Sequence, residues 1–472
     1  MGSQIIKGAK WTAVERFSNQ FIQLAVSIVI SRLISPEEFG VLAILLVFVN
    51  IAQVFIDSGL GNSLIYFNKI DKDDLNTTFI FNAVISGIIF SLLFVIAPYI
   101  EQFYSLKGLT EYLRIASIVL LANSVAVVPT AILKINLNFK SLATANLAAN
   151  IFSAIIGIAL AIIGAGVWAL IGQMLSRSLI LALLMLIKSK WVPKFCFVLS
   201  SFKKLYRYGV NLFATSIITK FTDEGIATLI GKFLTPYNLG LFSRSGQFAT
   251  FPTSCIGSLV TTVTFPALSA EKDNIERYNR LYLNALELQA FLVIPLYFWL
   301  AVEAKPLIIL LLTDKWIDAV PIFQILCIGR ILALLAITTE QNLNAKGRSD
   351  LCLKQQFFKL LLKIVLVFAA LPFGIIAVAL ADAVQTLVQF YITNKVAENT
   401  IGFTFRQQLK LAIPYLLSAM FASIVAYIPI CLIENYWIQI LLSTLLGIGA
   451  YLVMVFIFFK KREPYFLLKK FI

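Results

Sequence analysis

Residues 231–244 read GKFLTPYNLGLFSR, and residues 31–44 of the same chain read SRLISPEEFGVLAI. Both stretches place a cation, an apolar pair, a hydroxyl residue, a proline and a glycine in the same order. The matched positions are Arg32/Lys232, Ser35/Thr235, Pro36/Pro236 and Gly40/Gly240. The segments that lead into the two turns are also identical at Phe21/Phe221 and Ile30/Ile230. This repetition predicts two duplicated units that each open with the same helical hairpin, a pattern typical of secondary transporters.

The composition indicates the class of protein in which this repeat occurs. Of the 472 residues, 60% are hydrophobic and only 13% are charged, and the mean hydropathy is +0.88. Soluble domains are typically about 25% charged and at most about 50% apolar. A globule of this size cannot hide so much apolar surface, so the chain is predicted to be a polytopic membrane protein.

Apolar runs of about 20 residues, the length that a bilayer core requires, recur about fourteen times. Their approximate limits are 11–33, 40–64, 78–98, 112–133, 142–164, 166–187, 209–231, 238–264, 281–302, 317–342, 353–372, 374–394, 411–433 and 437–459. We therefore expect an all-α fold with two pseudo-symmetric six-helix lobes, at 1–187 and 209–400. A cytoplasmic linker at 188–208 joins them, and its 199–208 part is expected to lie as an amphipathic helix in the membrane interface. An extra pair of helices with a basic cytoplasmic tail follows at 401–472.

The net charge of +15 is interpreted through the distribution of lysine and arginine among the loops. Basic residues collect in cytoplasmic loops of membrane proteins, and here the largest group lies in the linker at 188–208. This bias predicts that both termini are cytoplasmic and that both copies of the repeated turn lie on the outer side. A nucleic-acid partner is not needed to explain the charge.

Several basic residues fall inside the apolar spans, where each opposes insertion by roughly 3 kcal/mol near a helix centre. They are Arg16, Arg177, Lys220, Arg244, Arg330, Lys359 and Lys363. Such charges usually face a bundle interior or a wet cavity and mark a transport pathway. Helical spacing aligns several of them with amide side chains. We predict a substrate-binding cavity lined by Arg16, Gln20, Gln23, Gln53, Lys220, Arg244, Gln247 and Arg330. Asp57, Asp223 and Glu340 are candidates for coupling to H⁺ or Na⁺.

Internal ion pairing is the alternative explanation of these charges. Glu15 with Arg16, Lys220 with Asp223 or Glu224, and Arg330 with Glu340 are possible pairs that would hold helices together. Arg244 is the exception, since no acid lies within two helical turns of it, and we expect it to meet an anionic group outside the chain. Its planar guanidinium suits phosphate.

Other chemistries find little support in the sequence. Histidine is absent, which removes the commonest metal ligand and proton relay, so neither a metal nor a cofactor is expected. The five cysteines are far apart, and most lie in apolar runs. The stretch Gly231-Lys232-Phe233 lacks the upstream glycine and the hydroxyl residue of a P-loop, which excludes ATP hydrolysis within this chain.

The chain resembles the polysaccharide transporters of the MATE/MurJ-like flippase superfamily, nearest the Wzx-type O-antigen and colanic-acid exporter branch. The motifs that carry the resemblance are SRLISPEEFG (31–40), DSGLGNSLI (57–65), LNFKSLA (137–143), GAGVWALIGQ (164–173), GKFLTPYNLGLFSR (231–244), FPALSA (265–270), DKWIDAVPIFQIL (314–326) and NAKGRSD (344–350). They extend over residues 5–400, and their order and spacing are more specific than any one of them.

The resemblance implies a flippase of the inner membrane of a bacterium. It would work by alternating access on an undecaprenyl-pyrophosphate-linked oligosaccharide for cell-surface polysaccharide synthesis. Arg16, Lys220, Arg244 and Arg330 would then meet the pyrophosphate. The last two spans would form a groove for the prenyl tail, with Lys359 and Lys363 at its border. Membrane lipid and polysaccharide polymerase or assembly proteins are the other implied partners.

Three other functions remain open. A lipid II flippase of the same superfamily is disfavoured, because the first two spans lack its dense arginine set. A multidrug exporter usually carries organic cations, for which acidic groups should dominate the cavity. A membrane oligosaccharide polymerase or glycosyltransferase would need a sizeable outer loop and a catalytic carboxylate or histidine cluster. The chain is therefore predicted to be a transporter and not an enzyme.

Overall fold

A computed structural model gives the fold of residues 2–57, 59–67, 70–271, 274–345, 349–401 and 405–458, and these ranges are entirely helical apart from turns and short loops. Side chains before Ser18 and in several short stretches within helices lie outside the description. The chain forms two compact units, residues 1–240 and 241–472, each described here by itself. The predicted lobes at 1–187 and 209–400 stay a prediction.

The first unit contains nine helices and the start of a tenth. They are α1 (Gly2–Leu33), α2 (Pro36–Asp57), α3 (Leu60–Phe67), α4 (Lys72–Tyr104), α5 (Leu109–Ala116), α6 (Ile118–Ile135), α7 (Phe139–Ile162), α8 (Val167–Ser189), α9 (Leu199–Phe233) and α10 (Pro236–Ala270). Helix α7 packs between α1 and α8, α6 packs against α8 and α4, and α2 packs against α9.

The second unit takes the rest of α10 and seven further α-helices. They are α11 (Ile275–Val302), α12 (Ala304–Leu312), α13 (Ala319–Ala345), α14 (Ser349–Ala370), α15 (Ile375–Ile401), α16 (Phe405–Leu432) and α17 (Tyr436–Phe458). Helix α13 packs against α11 and α15, and the pair α16–α17 joins the unit through α11. Short 3-10 helices at Asp314–Trp316 and Leu371–Phe373 make two of the corners.

Eleven helical segments among the described residues are long and apolar enough to cross a membrane. The chain is therefore a multi-pass membrane protein, as its composition predicts. Helices α1, α9 and α10 coincide with the first, seventh and eighth predicted spans, but they are not among the eleven. The number fourteen stays a prediction. These three helices carry much of the predicted site, including Lys220 and Asp223 beside Glu224 on α9.

Two short connections join helices that pack against each other. Gly164 and Gly166 between α7 and α8 have φ of 83° and 57°, and Gly374 between α14 and α15 has φ of 87°. Glycine adopts this left-handed region without the steric penalty of other residues. Each helix pair packs along its length.

The repeated turn begins a helix in both copies by the same local means. Proline stands at the first helical position, where its missing N–H would have had no partner. In the first copy the Ser35 hydroxyl accepts from the Glu38 amide, and the Glu38 carboxylate accepts from the Ser35 amide at 2.8 Å, which is a capping box. In the second copy the Thr235 hydroxyl accepts from the Asn238 amide at 3.2 Å.

The linker packs on the first unit instead of standing apart from it. The predicted amphipathic helix at 199–208 is the beginning of α9, continuous with the span that follows. Leu205 is 1% exposed in a cluster with Leu60 and Leu64 of α3, and Lys204 pairs with the buried Asp74 of α4 at 3.0 Å. Residues of α3, α4 and α6 pack against Phe202 and Leu205 of this stretch, and its place in the membrane interface stays a prediction.

Candidate functional site

The polar face of α2 provides the centre of the candidate site. Asn50, Gln53 and Asp57 are three and four residues apart, so they share one side of the helix. Gln53 Nε2 donates to Asp57 Oδ1 at 3.0 Å, and Asn123 Nδ2 of α6 donates to Gln53 Oε1 at 2.8 Å. A chain of hydrogen bonds thus connects α6 to the end of α2.

Helix α9 faces the same side of α2 and supplies the charge. Asn50 Nδ2 donates to Glu224 Oε1 at 2.8 Å, and Lys220 Nζ lies 3.7 Å from that oxygen. The Lys220 side chain remains 38% exposed, against 16% for Glu224, so the lysine keeps an accessible surface. Lys220 also acts electrostatically on Asp57. We call Asn50, Gln53, Asp57, Lys220 and Glu224 the polar segment.

The pairing of Lys220 with Glu224 is one of the two pairs offered by helical spacing, and Asp223 is exposed on the neighbouring face. Ion pairing within the chain therefore accounts for part of the charge of the polar segment. The pair does not use all the donors of Lys220, because a single carboxylate at 3.7 Å leaves further ammonium donors for a ligand.

Helix α2 meets α9 and α10 differently at its other end. A Cβ added to Gly40 would lie 1.8 Å from the carbonyl oxygen of Pro236, and one added to Gly240 would lie 1.7 Å from the carbonyl oxygen of Pro36. The two copies of the repeated turn are thus in reciprocal backbone contact. Such close approach requires small residues. We call Pro36, Gly40, Pro236 and Gly240 the clasp.

The predicted residues of α1 have a mixed outcome. Gln20 is half-buried and Gln23 is exposed, whereas the Arg16 side chain lies outside the described residues. The neighbouring Asn19 accepts from Asn150 Nδ2 of α7 at 2.7 Å.

Arg177 of α8 is one of the intramembrane charges for which the sequence predicts no partner. Its Nε donates to Asn150 Oδ1, so this guanidinium is tied into the chain of hydrogen bonds that ends on α1.

In the second unit, Arg244 has a local hydrogen-bond partner that is an amide and not an acid. Its guanidinium donates to the side chain of Gln247 one turn along α10. The expectation that Arg244 lacks a local partner is therefore wrong, although the neutral amide of Gln247 does not compensate the charge of the guanidinium. Gln247 is exposed, whereas Arg244 is half-buried.

Arg330 and Glu340 of α13 are both half-buried and do not form the pair considered from the sequence. The Arg330 Nε is buried without a hydrogen-bond partner among the described residues. The cation that acts on Glu340 is Lys359 of α14. Lys363, which was predicted at the border of a lipid groove, lies 3.8 Å from the buried Asp382 of α15.

The structure therefore brings Gln53, Asp57 and Lys220 together in the first unit, and it pairs Arg244 with Gln247 in the second. Glu340 and Arg330 belong to α13 and stay separate. Sequence reasoning missed Asn123, Asn150 and Lys134. Each is an isolated polar residue within or at the end of an apolar run, a signal weaker than a cluster.

A bundle of apolar helices with charged and amide side chains joined across the helices is the construction of a membrane transporter. The solved structures similar in fold are transporters as well. The fold resembles "Lipid II flippase MurJ, inward closed conformation" with a TM-score of 0.80 at 16% identity, over 97% of this chain and 99% of that one. It also resembles an inward-facing multidrug resistance MATE family transporter of the MOP superfamily, with a TM-score of 0.63 at 16% identity, over 83% and 98%.

The chain belongs to the family described as "Polysaccharide biosynthesis protein", whose model matches residues 29–321. The teichuronic acid biosynthesis protein TuaB of Bacillus subtilis (strain 168) is 28% identical over 392 residues, 82% of this chain and 81% of that protein. The succinoglycan biosynthesis transport protein ExoT of Rhizobium meliloti (strain 1021) is 22% identical over 85% and 79%. The lipopolysaccharide biosynthesis protein WzxC of Escherichia coli (strain K12) is 24% identical over 88% and 85%. The resemblance stated from the motifs is confirmed.

Proposed function

We propose that this protein is a flippase that moves a polyprenyl-pyrophosphate-linked oligosaccharide repeat unit across the bacterial cytoplasmic membrane. The family match is the observation that carries the proposal. The relatives are named for three different surface polysaccharides, and one of them is named a transport protein. A fold shared with a lipid II flippase supports a lipid-linked substrate.

The proposed orientation has both termini in the cytoplasm, as the distribution of lysine and arginine favours. Because α2 then runs inward from Pro36, the clasp lies at the outer side and Asp57 lies towards the cytoplasm. Substrate would enter from the side where the polar segment ends, and the clasp would have to separate before release to the outside. Alternating access requires such a contact to exist in one state and to open in another.

In the proposed mechanism, basic groups bind the pyrophosphate and amide groups bind sugar hydroxyls. We assign this role to Lys220, whose side chain is 38% exposed, to Arg244 beside Gln247, and to the half-buried Arg330. Arg16, Gln20 and Gln23 remain candidates on α1. Charge-assisted hydrogen bonds to phosphate are about twice as strong as neutral ones, so the basic residues favour the pyrophosphate over the sugar hydroxyls.

The proposal also includes coupling of transport to an ion. Asp57, Asp223 and Glu340 are the candidate carboxylates, and each is exposed or half-buried in a different place. We expect Asp57 to be the most informative, because Lys134 and Lys220 both act on its charge. Asp57→Asn should change the dependence of transport on H⁺ or Na⁺ if this carboxylate couples, and should leave that dependence intact if it does not.

The test of the function uses purified protein in lipid vesicles that contain a polyprenyl-pyrophosphate-linked saccharide. Wild type should expose the saccharide to a glycan-modifying enzyme outside the vesicles. Lys220→Ala and Arg244→Ala should abolish this exposure while the protein inserts and accumulates normally. Lys305→Ala and Arg280→Ala, at exposed positions, are the matched controls. Wild-type rates from both Lys220→Ala and Arg244→Ala would refute the assignment of these residues.

The same vesicles separate the alternative functions. A lipid II flippase would move lipid II and ignore other saccharides, and this alternative has the fold at a TM-score of 0.80 in its favour. A multidrug exporter would move an organic cation and neither lipid. In cells, deletion should trap lipid-linked repeat units on the cytoplasmic face. A polymerase or assembly partner would then be sought among the proteins that co-purify with the flippase.

A further inference from the structure

A cavity of about 390 Å³ opens on the first unit, next to the polar segment, and Asn62 and Ser216 on its lining are exposed. Helices α2, α3, α6 and α9 surround it. Its lining combines charged, amide and hydroxyl side chains with one aromatic ring and several small apolar residues. The volume is near the lower end of the range of about 300–1,000 Å³ that is usual for small-ligand pockets.

Several hydrogen-bonding groups on this lining are unused. The side chains of Asn62, Thr130 and Ser216 make no hydrogen bond to any part of the chain that the structure describes. They come from α3, α6 and α9, so three elements direct donors and acceptors to one space. An amide and two hydroxyls together offer both donors and acceptors, which is what a ligand with several hydroxyl groups requires.

The charges of the lining cancel. Lys134 and Asp57 are its ionisable groups, and they interact electrostatically with each other. A cavity built for pyrophosphate would carry an excess of cations, and one built for an organic cation would carry an excess of acids. The balance found here favours an uncharged, polar ligand.

The remaining lining suits the apolar face of a ring. Phe213 is half-buried, and its ring meets that of Phe55 edge-on, with centroids 5.4 Å apart, which holds it in place. Opposite α9, α6 contributes Ala126 and Ala131, whose short side chains leave the volume open. An aromatic face, small apolar residues and convergent polar groups are the usual composition of a ligand pocket.

We infer that this cavity is a sugar subsite, which binds one uncharged pyranose of the saccharide through Asn62, Thr130 and Ser216. The inference rests on the proposed function, because it assigns part of the flippase substrate to a place in the first unit. It separates sugar recognition from recognition of the pyrophosphate, which the proposed function assigns to basic residues that include Lys220 and Arg244. Selection among saccharides then depends on groups that carry no net charge.

The first experiment measures binding directly and does not depend on transport. A thiol is introduced by Val127→Cys on the cavity wall, and its reaction with a maleimide is followed by peptide mass spectrometry in the full-length protein. Glucose, galactose, mannose and N-acetylglucosamine at millimolar concentration are the probes, with inorganic pyrophosphate as the anionic comparison. The native Cys431, which is exposed and belongs to the second unit, is the control thiol.

At least one sugar should slow labelling at position 127 several-fold while Cys431 reacts unchanged, and pyrophosphate should have no effect. Protection by pyrophosphate but by no sugar would overturn the inference and make the cavity an anion site. Equal slowing at both thiols, or no protection by any sugar, would overturn it as well.

The second experiment distinguishes a failure of the sugar subsite from a failure of the proposed function. Vesicles receive either a polyprenyl pyrophosphate that carries a disaccharide or the same lipid without sugar. Thr130→Val and Asn62→Leu should each reduce transport of the disaccharide lipid roughly fivefold, the effect of one lost hydrogen bond. Transport of the bare lipid should not change.

Thr386→Val is the matched control for Thr130→Val. Thr386 lies on α15, and its hydroxyl donates to the Asp382 carbonyl of its own helix. A filled cavity, in Ala126→Phe, should abolish transport of the disaccharide lipid only. If wild type moves neither lipid, the proposed function fails, and the labelling experiment still decides the sugar subsite. If wild type moves the disaccharide lipid and the variants do so at the same rate, the subsite is wrong and the function stands.

Discussion

Helix α2 is in contact with the duplicated half of the sequence in two different ways along its length. At the clasp, the backbones of the two copies of the repeated turn touch, and hydrogen atoms of Gly40 and Gly240 occupy the places where a Cβ would stand. At the polar segment, side chains fill the space, and Asn50 reaches Glu224 at 2.8 Å. The clasp lacks room for one more atom, whereas the polar segment borders a cavity of about 390 Å³.

This difference distinguishes the residues that set the position of the helices, in the clasp, from the residues that we propose to contact the substrate, in the polar segment. A contact between backbones fixes a distance and tolerates no added atom, because overpacking forces the backbone to shift. A contact between polar side chains can exchange its partners for those of a ligand at little net change in free energy. We therefore expect substitutions at the clasp to lower stability and substitutions in the polar segment to lower transport.

The largest expected effect on stability comes from Gly40→Ala combined with Gly240→Ala. Each added Cβ meets a proline carbonyl oxygen at less than 2 Å in the present geometry, so the helices must separate. Each substitution should lower the free energy of unfolding by about 2–3 kcal/mol, the upper part of the range for overpacking. Thermal unfolding of the purified protein measures the effect.

Gly246→Ala is the control for this pair, because it lies on the same helix as Gly240 and has nothing within 4 Å of the added Cβ. It should be neutral or should stabilise the helix by about 0.5–1 kcal/mol. Equal unfolding temperatures for all three alanine variants would contradict the clasp.

The second expected effect sharpens the comparison at the opposite end of α2. Gly59 has φ of 74°, and a Cβ there would lie 2.3 Å from the carbonyl oxygen of Gly209 on α9. Gly59→Ala should therefore lower the free energy of unfolding through both backbone strain, about 1–2 kcal/mol, and overlap. Gly164→Ala has the same positive φ and nothing within 4 Å. The difference between the two variants in thermal unfolding isolates the effect of the overlap with Gly209. A difference of zero would show that α9 moves away from the added Cβ at no cost in free energy.

Much of this comparison could be predicted from the sequence. The repeated turn and its helix starts follow from four matched residue types, and capping explains the hydroxyl residue and the proline. The apolar length of each span predicts the helices. The spacing of Lys220 and Glu224 by four residues predicts a possible ion pair, which the structure contains.

The contacts between distant segments could not be predicted in this way. Helical periodicity shows which residues share a face, but it does not show which other helix that face meets. The reciprocal contact of Gly40 with Pro236, and the bond from Asn50 to Glu224, join positions that are far apart in the sequence. The hydrogen bond from Arg244 to Gln247 was not predicted for a different reason. The two residues are three apart on one helix, but only acids were expected as partners of the arginine.

The third expected effect concerns the polar segment itself. In a double-mutant cycle with Lys220→Met and Glu224→Gln, the coupling free energy should be at most about 1 kcal/mol, since the lysine is 38% exposed and solvent screens the pair. Denaturant unfolding in detergent measures it. A coupling of several kcal/mol would mean that the pair holds the helices together, and it would turn the polar segment into a second structural contact like the clasp.

The smallest expected effect comes from a carboxyl that lies outside both regions and outside the membrane spans. Glu303 joins α11 to α12 and is fully buried, and neither carboxyl oxygen has a hydrogen-bond partner among the described residues. The nearest hydroxyl, of Ser443, donates at 2.8 Å to the Ala426 carbonyl. Burial raises the pKa of Glu303, and the nearby Ser443 offsets only part of that.

The sign of the resulting pH dependence follows from this raised pKa. The folded state favours the neutral acid, so its stabilising contribution is complete below the ordinary glutamate pKa of about 4.3 and is lost as pH rises through the raised value. Glu303→Gln should therefore match wild type in acid and exceed it in unfolding temperature at alkaline pH. Glu434→Gln, at an exposed position, should follow wild type at every pH. A Glu303→Gln curve parallel to that of wild type would mean that the carboxyl is ionised in the folded protein, and that an unidentified cation or water accompanies it.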